Sequence, residues 1–146
     1  MEYFVGIALA LSVGFMATIV GLDRDRSFYP TVMIVVASYY ALFAVMGGST
    51  HSLLAECIAA AVFVALSVAG FKRSLWLVVA GLAGHGVFDF IHGMLITNPG
   101  VPLWWPAFCG AYDVVAAMYL VALILRSRVA PAAISSATAA TAASPD

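Results

Sequence analysis

The chain has 146 residues, of which 64% are hydrophobic and only 9% charged, and its net charge is −1. Soluble domains carry about 25% charged residues, so a water-soluble core of this length could not absorb so much apolar side chain. With a mean hydropathy of +1.07 the bilayer is the expected solvent, and six basic residues against seven acids leave no footprint for nucleic acid, which excludes that class of partner.

A spanning helix needs roughly 20 mostly apolar residues, and five such stretches follow one another. The first covers about residues 2–22; it lacks the basic region and small-residue cleavage site of a signal peptide, so it is expected to stay in the protein. The connection DRDRSFYP, read as a solvated anchor, leads to a second and shorter span at about 31–47, which carries Ser38, Tyr39 and Tyr40. GGSTH separates it from a third span at about 52–71, and KRS separates that from a fourth at about 75–96. The connection TNPGVPLWWP reads as an interfacial loop, with a rigid lid as the alternative, and a fifth span follows at about 107–125. Trp104 and Trp105 sit where an aromatic belt would place them. Pro106 suits the first turn of a helix, where its missing N–H costs nothing. Residues 129–146 are rich in Ala, Ser and Thr and are expected to form a disordered cytoplasmic tail, leaving 1–128 as one transmembrane domain.

The expected fold is therefore all-α, a compact bundle of five transmembrane helices. Arg24 and Arg26, Lys72 and Arg73, and Arg126 and Arg128 then fall on one side of the membrane, and no Lys or Arg is left for the other. The positive-inside rule makes that side cytoplasmic, with the N-terminus outside, in the inner membrane of a cell. A chain this short also leaves homo-oligomerisation open.

Within the spans lie Glu56, His85, Asp89, His92 and Asp113. A carboxylate at a helix centre costs about 2.5–3.5 kcal/mol on the insertion scale, and such residues normally face the bundle interior and mark a site. His85, Asp89 and His92 in GHGVFDFIHG are spaced i, i+4, i+7, one stripe of a helix. At 1.5 Å per residue Glu56 lies roughly 6 Å, and Asp113 roughly 9 Å, below the outer ends of their helices. Five groups from three helices are thus expected to converge in the outer half of the bundle. Cys109 shares the face of Asp113 at i, i+4, and His51 sits at the outer mouth; with Tyr39 and Tyr112 they are candidates for the surroundings of the site or its access route. Gly81 and Gly84, with Ala55 and Ala59, would allow close packing there. Cys57 and Cys109 both lie near the outer face, where a disulfide is chemically allowed. Axial ligation of one haem by His85 and His92 is excluded within one chain, because both lie on one helix face.

The pattern H-x-x-x-D-x-x-H, then N-P-x-x-P, then C-x-x-x-D resembles a family of short bacterial multi-span membrane proteins of uncharacterised function. His85, Asp89, His92, Asn98, Pro99, Pro102, Cys109 and Asp113 carry the resemblance, which covers about residues 81–120. Gly93 and Tyr112 stand where members often carry a further His and a second Cys. The resemblance implies a site without naming its reaction.

Mixed imidazole and carboxylate groups suit Zn, Fe or Mn, so His85, Asp89, His92, Glu56 and Asp113 form the expected metal set, with Glu56 or Asp113 as general base. The leading expectation is a metal-dependent membrane hydrolase, or an oxidoreductase if the metal is iron, acting on a lipid-like or small amphipathic substrate from the outer leaflet. The alternatives are a small proton or metal-ion transporter or channel, an accessory subunit of a membrane complex, and a merely structural polar cluster. A conduit needs polar groups through the whole membrane, and the inner halves, such as AAAVFVALSVAG and AMYLVALIL, are almost purely apolar.

Overall fold

The computed structural model describes residues 1–129, so the expected tail lies almost wholly outside the described residues. Five helices are present: α1 (Glu2–Val20), α2 (Phe28–Met46), α3 (Thr50–Lys72), α4 (Trp76–Leu95) and α5 (Trp105–Leu125), with one 3-10 turn at Leu22–Arg24 between the first two. All five are long and apolar enough to cross a membrane, and no strand forms among the described residues.

Local chemistry sets the boundaries. α1 stops at Gly21, whose φ of 86° turns the chain left-handed while its N–H still bonds Ala17 O. α2 starts at Phe28, earlier than the apolar pattern indicates, because Pro30 lies in the first turn and needs no hydrogen-bond partner there. Ser49 caps α3 by accepting from the Ser52 N–H at 3.2 Å.

In lipid no hydrophobic force drives one helix onto another, so contact depends on small residues that let backbones approach. Gly6, Ala10, Gly14 and Ala17 form the buried stripe of α1, which packs on α5. A Cβ at Gly6 would lie 2.3 Å from the Phe108 carbonyl oxygen. α4 meets α5 at Gly86 and Gly110, where a Cβ on either would come within 3.1 Å of the other's carbonyl oxygen. Gly81 receives the end of Met33, but Gly84, expected to serve the same purpose, has nothing within 4 Å of its would-be Cβ.

The helices pack in the order α1, α5, α4, α3, α2, an arc whose two ends leave a seam. Tyr29, Met33, Val78, Leu82 and Leu120 fill its interior. The first connection is less solvated than its charges indicate. Arg26 donates to the carbonyls of Phe71 at 2.6 Å and Gly70 at 3.0 Å, closing the C-terminus of α3. Asp23 is buried and accepts from the Thr18 hydroxyl, whose oxygen lies 2.8 Å from the Tyr119 hydroxyl. Asp25 stays exposed and accepts from the Ser27 N–H at 2.9 Å, which holds its carboxyl below the ordinary value.

Candidate metal centre

The stripe on α4 faces inward as its spacing requires: His85, Asp89 and His92 are all buried, and so are Glu56 and Asp113. The close approach at Gly86 and Gly110 lays α5 beside the lower part of this stripe. Asp113 Oδ2 therefore lies 2.6 Å from His85 Nδ1, and Asp89 Oδ2 lies 3.5 Å from the same nitrogen. Cys109, one turn up α5, points its thiol at Asp113 Oδ2 from 3.8 Å. One ligand atom from each of His85, Asp89, Cys109 and Asp113 falls within 4.8 Å of all the others. A tetrahedral ion with bonds of about 2.0–2.3 Å would hold its ligands roughly 3.3–3.8 Å apart. The cluster needs only a contraction of about an ångström to reach that geometry, so these four residues could hold a metal ion.

The remaining two of the five expected ligands form a separate pair. His92 Nε2 lies 2.7 Å from Glu56 Oε1, which also accepts from Asn98 Nδ2 at 2.9 Å. Tyr40 stands between the two groups. Its ring stacks on the His92 imidazole at 4.0 Å and 15°, and its hydroxyl donates to Asp89 Oδ1 at 2.7 Å. Phe63 meets the His85 ring edge-to-face at 4.7 Å. The result is a lower His–Asp–Cys–Asp cluster and an upper Glu–His pair, joined through one tyrosine.

Three carboxylate oxygens in this assembly, Asp89 Oδ2, Asp113 Oδ1 and Glu56 Oε2, are buried without a hydrogen-bond partner. Leaving such a group unsatisfied costs about 1–3 kcal/mol, more when it is charged. Two of the three belong to the lower cluster, where a bound cation would offset the repulsion between Asp89 and Asp113. The donor set of one imidazole, two carboxylates and one thiol suits zinc or iron better than the oxygen-seeking Mg or Ca.

The connection between α4 and α5 is fastened over the upper pair. Asn98 Nδ2 also donates to the Tyr40 carbonyl at 3.0 Å, and Asn98 Oδ1 accepts from the Gly100 N–H at 3.1 Å. Ser52 Oγ donates to the Thr97 carbonyl at 2.7 Å. Gly100 lies so close to α2 that a Cβ would be 1.8 Å from the Phe43 carbonyl oxygen. These bonds fasten the segment to α2 and α3.

Other expected residues are placed differently. His51 is exposed at the start of α3 and takes no part. Tyr39 packs on Trp105, ring centroids 4.8 Å apart, and its neighbour Tyr40 takes the inward position. Tyr112 is buried and, with Tyr39 and Cys109, lines a cavity beside the cluster. Cys57 is exposed and Cys109 buried, and both are free, so no disulfide joins them. Tyr40 and Asn98 are the residues whose part the spacing of acids and histidines does not reveal. Asn98 carried a signal in the Asn-Pro pair, and Tyr40 only in the rule that two adjacent tyrosines cannot both face inward. No family model, curated protein or solved structure matches the chain.

Proposed function

We propose that this chain is a membrane-embedded metalloenzyme whose ion is held by His85, Asp89, Cys109 and Asp113. The observation that carries it is the convergence of four buried ligand atoms within 4.8 Å, two of the residues having carboxylate oxygens without partners. A dication bound there would supply Lewis-acid polarisation of an ester, amide or phosphoester, or, if it is iron, a centre for oxidation by an external oxidant such as dioxygen. Asp113 accordingly acts as a ligand. Glu56, gripped by His92 and Asn98 through one oxygen, keeps the other free to accept a proton from water. Tyr40 orients Asp89, as partners of metal-binding carboxylates do. The basic end of the bundle faces the cytoplasm by the positive-inside rule, so the site lies in the half of the bundle nearer the outer leaflet of a cell membrane.

A conduit for protons or metal ions is less well supported. Below His85 the interior is filled by Val78, Leu82 and Leu120, each fully buried, which closes the cytoplasmic side of the site with apolar packing. Elemental analysis of the untagged protein beside His85→Ala and Asp113→Asn tests the proposal. Near-stoichiometric zinc or iron, lost in both variants while helicity persists, is the expected result. No metal in the wild type after reconstitution would reject it and leave a structural polar cluster.

A further inference from the structure

The seam between α1 and α2, floored by α5, contains a cavity of about 800 Å³, inside the range of about 300–1,000 Å³ usual for small-molecule sites. Val5, Leu9 and Val13 form one wall, Val32 and Val36 the other, and Phe108 part of the floor. From Glu2 to Val13 and from Phe28 to Tyr39 the walls run about 16 Å at 1.5 Å per residue. That is close to half of a hydrocarbon core about 30 Å thick, the depth of one leaflet. Polar groups gather at its mouth: the Met1 amine, paired with Glu2 at 3.0 Å, and the Trp104 and Trp105 rings.

One feature ties this cavity to the candidate metal centre. Cys109 forms part of its lining and also belongs to the four-residue cluster, so one side chain divides the cavity from the candidate metal centre. The cavity is also continuous with the lipid-facing surface, because Val5, Leu9 and Val35 on its rim are exposed. Along α5, Cys109 lies about 6 Å below Trp105, a residue type that sits at headgroup level in membranes.

We propose that the seam seats one hydrocarbon chain of an ester- or amide-linked lipid of the outer leaflet, with its polar linkage held at the level of Trp105 and Cys109. The choice of that lipid as substrate rests on the metalloenzyme reading above; the chain seat itself does not. Cys109 is then the wall through which tail and centre meet.

The experiment is photolabelling of the protein in phosphatidylglycerol vesicles doped with a phospholipid that carries a diazirine midway along one acyl chain, with metal content measured on the same samples. Label should concentrate on α1, α2 and α5 peptides that line the seam. Leu9→Trp and Val35→Trp, at positions 43% and 47% exposed, should each lower it several-fold at unchanged metal content. Equal labelling of the outward face of α3, at Leu54 and Ile58, would show ordinary boundary lipid and overturn the seat. Cross-linked dimers joined through the seam would overturn it as well, by showing that a second copy fills it. Should the tryptophan variants not fold, the distribution of label on the wild type decides. Seam labelling of a protein that holds no metal would sustain the seat and reject the metalloenzyme. A loaded metal without seam labelling would do the reverse.

Discussion

Tyr40→Phe removes one hydroxyl and leaves the ring that stacks on His92 at 4.0 Å. In the native protein that hydroxyl donates to Asp89 Oδ1 at 2.7 Å, and the other oxygen of Asp89 has no hydrogen-bond partner. The variant therefore leaves a buried carboxylate whose other oxygen lies 3.5 Å from His85 Nδ1. A hydrogen bond to a charged group contributes about 1.5–3 kcal/mol, which corresponds to about 10- to 150-fold in a binding constant at about 1.4 kcal/mol per tenfold. Loss of a partner that orients a metal ligand typically costs about 10–100-fold in affinity, so the two routes agree. The assay is zinc competition against a chromophoric chelator in detergent, with circular dichroism melting on the same sample. The expected outcome is a 10- to 100-fold weaker site in a protein that remains helical. Zinc affinity within twofold of the wild type would refute the proposed role of Tyr40 and the assignment of Asp89 as a ligand with it.

Glu56→Gln and His92→Ala should retain stoichiometric metal in elemental analysis, because these residues pair with each other outside the four-residue cluster; loss of metal in both would return them to the coordination set. Gly6→Leu places a side chain against the Phe108 backbone, which cannot yield cheaply, so size-exclusion chromatography should show loss of the folded species, whereas Gly84→Leu, with open space around it, should elute as the wild type. Arg26→Ala frees the carbonyls of Phe71 and Gly70 at the end of α3 and should lower thermal stability by about 1 kcal/mol, while Arg24→Ala should not. Ser→Cys at position 74, beside Lys72 and Arg73, should react with a membrane-impermeant maleimide only when the cytoplasmic face is exposed; reaction from the outside would invert the orientation.

What the sequence by itself determined are the properties that live within one segment. Apolar runs of spanning length require five helices, and the i, i+4, i+7 spacing of His85, Asp89 and His92 requires one buried stripe whatever the helix packs against. Cys109 and Asp113 share a face for the same reason. The grouping of these stripes was beyond it, because every span except α4 is apolar nearly all round and carries little amphipathic signal of its rotation about its own axis. Tyr39 and Tyr40 are therefore indistinguishable until α2 is docked, and only docking sends Tyr40 to Asp89 and Tyr39 to Trp105. The contact at Gly86 and Gly110 brings Asp113 to His85 rather than to His92. Asn98, lying on a connection rather than a helix, draws Glu56 into the other pair. Depth along a helix is additive from residue to residue and can be counted, whereas rotation and approach are set by backbone contacts between segments far apart in the chain.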